Sequence, residues 1–276
     1  MFKAPLVNIT YFCMEKNIKE KAVRLKLTLF IILISGFLFR SFWLKGQSYR
    51  KDTLNIPCLS VTLGFCLPMT DMADRYNFFG QGGGAFIMKF RNNMLLVAEG
   101  VVLYGEGYKG PDPLRLILNQ NGTITNQYGQ PAEFSRGMRG MQLSLKTGYI
   151  YNRWAHNPNS GITLTAGVGF LQSRYWIDQR GNNVPQIMGD YVKGYDRLSN
   201  GLALNQFLGY TYFHNKNFWH VYAGIEFTEA WTQIRRDWDF TLMRRDNSKF
   251  FDTMTTFKVG WIISFVQRES EEIYYY

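Results

Sequence analysis

The sequence predicts an all-β protein: a closed, antiparallel, eight-stranded transmembrane β-barrel with short periplasmic turns and long, structured extracellular loops. Three observations carry the prediction. The chain has 276 residues, 46% hydrophobic and 17% aromatic, yet no run after residue 45 is long and apolar enough to cross a bilayer as a helix, which needs about 20 residues. From Cys58 onward, apolar and polar residues alternate with period two in segment after segment, the mark of strands with one greasy face. The connections between these segments alternate long and short, as the loops and turns of an outer-membrane barrel do.

The first element precedes the barrel. Leu27–Phe39 (LTLFIILISGFLF) follows Lys16, Lys19, Lys21, Arg24 and Lys26. A positive stretch followed by an apolar run too short to span a membrane is the pattern of a secretory signal peptide. It divides the chain into an N-terminal extension and signal peptide, 1–47, with Met14 as the signal's start and cleavage after Gly46-Gln47, and a barrel domain, 48–276. Ser41–Gln47 carries Trp43 and Lys45 where small residues are usual, so an uncleaved anchor is the alternative. Residues 1–47 hold 8 of the 31 Lys and Arg and 2 of the 21 Asp and Glu, leaving 23 against 19 in the barrel domain. So small an excess leaves no basic footprint for nucleic acid. Cys13 lies in the extension, and no lipobox-like cysteine follows the apolar run. Cys58 and Cys66 sit in one strand, roughly 26 Å apart at strand rise, too far for a disulfide, and read as buried thiols.

The strand segments fall near 58–67, 82–90, 94–105, 138–150, 161–172, 201–212, 218–230 and 253–265, each close to the 9–11 residues, approximately, that a tilted membrane strand needs. In the first, Leu59, Val61, Leu63 and Phe65 share one face and Ser60, Thr62 and Gly64 the other. Ile162–Phe170, Val221–Phe227 and Phe257–Phe265 repeat the pattern. Between them come Pro68–Gln81, the tight Arg91-Asn92-Asn93, a long second loop, Tyr151–Ser160, Ser173–Asn200, Phe213–Asn217 and Trp231–Asp252.

Four charged residues, Glu99, Lys146, Glu226 and Lys258, fall on the face opposite the apolar one. An eight-stranded barrel is only wide enough inside for side chains, and an unpaired buried charge costs several kcal/mol, so these four are expected to pair and plug the lumen. Tyr104, Tyr149, Tyr151, Tyr210, Tyr212 and Trp219 lie near strand ends, where an interfacial girdle belongs. The alternative, a soluble lipocalin-like barrel, shares the period but not the loop asymmetry or the signal peptide.

No cofactor motif is present, and the candidate site lies in the loops. Asp71 with Asp74, Asp190 with Asp196, and Asp237 with Asp239 are acidic pairs, each beside arginine: Arg75, Arg197, and Arg235 with Arg236. Interleaved Asp and Arg make bidentate salt bridges more often than metal sites. Hence they are read as locks between loops, with no metal. The arginines of loop four, where RRD recurs at Arg235–Asp237 and Arg244–Asp246 as two arms of a hairpin, could also meet lipopolysaccharide phosphates. Loop two reads as a short helix at Leu114–Leu118, an Asn121-Gly122 turn and a two-stranded element around Ile124 and Ala132. Together with Trp176, Tyr191 and Tyr195 it would build a folded cap offering aromatics outward. His156, His214 and His220 all fall on the periplasmic side, which disfavours an outward-facing Ser/His/Asp site.

MTDMADRYNFFGQGGG (69–84), NGTITNQYGQPAE (121–133), VPQIMGDYVKGYDRLSNGLALNQFLGY (184–210), GIEFTEAWTQIRR (224–236) and a tail ending EEIYYY together resemble an outer-membrane β-barrel family of Bacteroidota, over nearly all of the domain. GDYVKGYDRL is the most specific motif. The resemblance implies a non-enzymatic accessory subunit of an outer-membrane machine in protein assembly or secretion. A clasp for an outer-membrane protein partner among outer-membrane lipids is therefore the expected function. The alternatives are a lipid A- or phospholipid-processing barrel enzyme and a small-solute channel.

Overall fold

A computed structural model describes residues 55–132, 134–155, 157–179, 184–214 and 219–265. The expected signal peptide, His156 and the terminal Tyr274–Tyr276 lie outside the described residues. Eight long strands form the wall: β1 (Ile56–Met69), β2 (Phe79–Lys89), β3 (Met94–Glu106), β6 (Phe134–Tyr151), β7 (Gly161–Gln179), β8 (Ser199–Tyr212), β9 (His220–Ile234) and β10 (Lys249–Ser264). Two short strands, β4 (Ile124–Thr125) and β5 (Pro131–Ala132), pair within the second loop. Every long strand pairs antiparallel with its neighbours in sequence, and β1 pairs with both β2 and β10, so Cys58 sits opposite Ile87 on one side and Ser264 on the other. That closure pairs both sides of each long strand within the ring, leaving no open edge where the wall crosses the membrane, which lets a sheet sit in lipid. Among the described residues no helix is long and apolar enough to cross a membrane.

Burial is inverted relative to a soluble protein. Leu63, Leu164, Val168 and Leu208 are about as exposed as surface residues (63%, 59%, 62% and 58%), while Thr62, Asn205, Thr256 and Lys258 are buried. An aqueous barrel would not present such a continuous apolar belt to water. The belt faces acyl chains, and the protein resides in the outer membrane with its short turns periplasmic and its long loops extracellular. The girdle residues Tyr104, Tyr149, Tyr151, Tyr210, Tyr212 and Trp219 all stand exposed at the belt's margins.

The lumen is filled in layers, not with charge alone as the sequence suggested. Its periplasmic third is apolar, with Ile87, Leu95, Val97, Ile150 and Phe207 around a cavity of about 50 Å³. Buried Asn157, Asn159 and Ser160 of the β6–β7 turn fold into this end, where the Asn157 amide donates to the Phe213 carbonyl (2.9 Å) and Lys89 Nζ to Asn159 Oδ1 (2.9 Å).

In the middle, Lys146 and Lys258 each contact both Glu99 and Glu226. Lys258 Nζ lies 2.8 and 3.0 Å from the two Glu99 oxygens, Lys146 Nζ lies 2.8 Å from Glu226 Oε2, and the remaining pairs, Lys146–Glu99 and Lys258–Glu226, also touch. Glycines make the room: Lys258 is paired across the sheet with Gly64 and Gly224, and Lys146 with Gly167. A Cβ at Gly167 would come within 2.0 Å of the Leu145 carbonyl.

Above lies a second apolar layer, including Val101, Leu103, Met138 and Leu171, closed by Met72 and Tyr76 from helix α1 (Thr70–Arg75) and the residue after it.

β6 and β7 are longer than the period-two pattern implied because they continue above the membrane, where Phe134 pairs with Gln179. There an outward residue need not be apolar, and the alternation lapses.

Candidate functional site

The extracellular cap is built on that projecting β6–β7 ribbon. Loop two folds against it around a small core of Leu114, Ile124, Ala132, Tyr175, Val184, Ile187 and Tyr195. Two side-chain turns shape the loop: Asn119 Oδ1 accepts from the Asn121 and Thr123 amides (3.1 and 3.0 Å), and Asn126 Oδ1 from the Tyr128 and Gln130 amides (2.9 Å each). Gly122 and Gly129 supply the positive φ these turns require (+72° and +79°). The expected two-stranded element is present, with Ile124 opposite Ala132. The expected helix at Leu114–Leu118 is instead a pair of hydrogen-bonded turns, Ile117 N to Leu114 O (2.9 Å) and Leu118 N to Leu114 O (3.2 Å). Five residues are too few to offset nucleation, and the Asn119 turn follows at once.

Loops three and four are tied by crossed ion pairs from adjacent residues. Asp196 takes both forks of Arg236, with Nε 2.6 Å from Oδ1 and Nη2 on Oδ2. Arg197 donates from Nε to Asp239 Oδ2 (3.1 Å) and from Nη1 to the Tyr108 hydroxyl (3.2 Å) and the Pro111 carbonyl (3.3 Å), so one guanidinium joins loops two, three and four. Its backbone is left-handed (φ +42°), an unfavourable conformation for a non-glycine residue that persists only where surroundings hold it. Burial disfavours the Arg197 cation, but Tyr108 and Asp239 outweigh that and hold its pKa above the ordinary value. The seam is closed by the Phe240 amide donating to the Gly194 carbonyl (3.0 Å) and by Phe240 packing on the Tyr195 ring (5.2 Å). Below, Arg75 pairs with buried Asp252, which also accepts from Thr232 Oγ1 (2.6 Å).

Several sequence expectations are corrected here. Asp190 does not lock the loop: its side chain is 90% exposed and among the described residues meets only Lys193, one turn away, whose hydrogen bond and charge hold the carboxyl below its usual range. Tyr195 is buried against Phe240, not offered outward, whereas Tyr191 is exposed. Arg75 does tie two loops, pairing with Asp252 at the end of loop four, while its Nε donates to the Asp71 carbonyl (3.2 Å). Asp71 accepts from the Phe251 amide (2.7 Å), and Asp74 has no hydrogen bond or ion pair among the described residues. Arg235 donates to Asn200 Oδ1 (2.8 Å).

Tyr108, Asp252 and the Asp112–Arg136 pair were missed by sequence reasoning. Asp252 carried a signal, since it shares strand parity with Lys258. Among the described residues no group of three His, Cys, Asp or Glu side chains converges as a metal site would.

At the periplasmic end His220 Nε2 lies 3.0 Å from Ser264 Oγ, but its Nδ1 accepts from the His214 amide (3.0 Å). That contact places the proton on Nε2, which then faces the hydroxyl as a donor. A serine nucleophile needs the opposite tautomer.

No protein-family model and no curated protein matches the chain. Among solved structures, Neisserial surface protein A is 10% identical, with a TM-score of 0.43 over 76% of this chain and 97% of that one. Ail, the attachment invasion locus protein of Yersinia pestis, is 7% identical with a TM-score of 0.40 over 76% and 99%. The outer membrane protein OprG of Pseudomonas aeruginosa is 10% identical with a TM-score of 0.36 over 77% and 97%.

Proposed function

We propose that this outer-membrane barrel is a non-enzymatic accessory component that binds an outer-membrane protein partner through its extracellular cap, in an outer-membrane assembly or secretion machine. The observation that carries the reading is the locked seam between loops three and four. Crossed, largely buried ion pairs and a dedicated apolar core hold the loops in one arrangement, which lowers the ordering cost of binding. Within three residues of the Gly194–Phe240 contact stand exposed Tyr191, Trp238, Leu242 and Met243, and large aromatic and Met side chains are enriched at interfaces. The resemblance to the Bacteroidota barrel family points the same way.

The test is affinity purification of the full chain from its native membrane in mild detergent, followed by mass spectrometry. A stoichiometric outer-membrane protein that is lost on Tyr191→Ala with Trp238→Ala, while the barrel stays folded, is the expected result. Repeated recovery of the barrel alone would count against it.

A further inference from the structure

We propose that the outward faces of β6 and β7 form a binding site for the phosphate of an outer-leaflet glycolipid, built on Arg139 and Arg174. The two residues are direct cross-strand partners. Like charges placed directly opposite repel each other, so the pair is unfavourable unless an anion bridges it.

No carboxylate of the described residues pairs with either residue. Arg139 Nη1 donates to the Met138 carbonyl (2.9 Å), and its guanidinium lies over the Trp176 ring at 4.2 Å. Arg174 has no hydrogen-bond or ion-pair partner among the described residues and is exposed.

Their height in the wall says what the anion is attached to. Arg139 continues the outward row Leu145, Leu143, Met141, which is exposed to lipid, and it pairs on its other side with the girdle residue Tyr104. The arginines therefore sit at the outer rim of the apolar belt, two residues beyond it on β6. A free phosphate has no use for that belt. A phosphorylated glycolipid does: its phosphate meets the two guanidinium forks, which suit it geometrically, while its acyl chains run down past Leu143 and Val168. The inference requires the outer-membrane placement but not a protein partner.

The test uses the full-length barrel in detergent, titrated with phosphorylated lipid A, with the same lipid A after removal of its phosphates, and with inorganic phosphate, read by native mass spectrometry. Phosphorylated lipid A is expected to bind at least about tenfold more tightly than the dephosphorylated form, the preference that charge-assisted bonds to phosphate provide. Arg139→Gln with Arg174→Gln should abolish that preference, and Arg244→Gln with Arg245→Gln in loop four should leave it intact. Arg174→Gln alone, which removes no internal contact, should weaken it and keeps the test valid if the double variant misfolds. Equal binding of both lipids, an undiminished preference in Arg174→Gln, or displacement of lipid A by inorganic phosphate would overturn the proposal.

Discussion

Replacing Lys258 by Met perturbs the centre of the lumen most sharply. The four charges of the quartet sum to zero, and all four side chains are 2–4% exposed. Lys258 supplies half of the cation contacts: without it, Glu99 and Glu226 keep only Lys146, and the lumen carries one uncompensated negative charge. Breaking a buried pair this way costs about 3–5 kcal/mol, whereas replacing both members by groups of similar volume is often near neutral. Lys258→Met should therefore lower the free energy of unfolding by that amount, and Lys258→Met with Glu226→Gln should recover at least about 2 kcal/mol of it, a coupling within the range seen for interacting buried groups. Urea titration of the barrel in phospholipid vesicles, followed by tryptophan fluorescence and by the mobility of the folded form on unheated gels, measures both. A single variant within about 1 kcal/mol of the parent, a difference smaller than a broken buried pair predicts, or a double variant costing the sum of its singles, would refute the reasoning.

Three further outcomes follow from the same geometry. Val168→Arg, on the lipid-facing side near the middle of β7, should destabilise the barrel in vesicles by about 2–4 kcal/mol, and a neutral result would mean that this face is not in hydrocarbon. Asp196→Asn removes the charge from the Arg236 fork and should open the seam between loops three and four by about 1–3 kcal/mol, seen as faster tryptic cleavage at Arg244 and Arg245 with the barrel intact. Asp190→Asn should leave that cleavage unchanged, since its partner among the described residues is Lys193 on the same turn. Planar-bilayer recordings should show no open-channel steps, because the quartet and the apolar layers on both sides of it fill the lumen.

The wall of the barrel was legible in the sequence because lipid and lumen impose opposite demands on alternate residues. Glu99, Lys146, Glu226 and Lys258 stood out as charges on the face that the greasy residues leave, and the strand register then brings them together. Where the chain leaves the membrane that demand ends, so Gln172 and Arg174 interrupt the alternation and the upper parts of β6 and β7 read as loop. Pairing within the cap was less legible. Asp196, Arg197 and Arg236 were identified as lock residues by type, but their partners lie 40 and 42 residues apart in sequence, and Arg75 reaches across 177 residues to Asp252. The motif gave Asp190 the same locking role as Asp196, and only the folded loop shows its carboxylate turned to Lys193 and solvent. Tyr191 and Tyr195 share a motif and a composition, yet the short 3-10 turn Gly189–Gly194 between β7 and β8 leaves one outward and turns the other onto Phe240.

The most direct measurement of which face meets the bilayer is the nuclear Overhauser effect between protein methyl groups and lipid acyl protons, on the methyl-labelled barrel in nanodiscs. Val61, Leu63, Leu164, Val168 and Leu208 should show strong acyl contacts, and Val101, Leu103 and Leu171, inside the wall, should show none. Acyl contacts to the second set and not the first would contradict the inverted barrel.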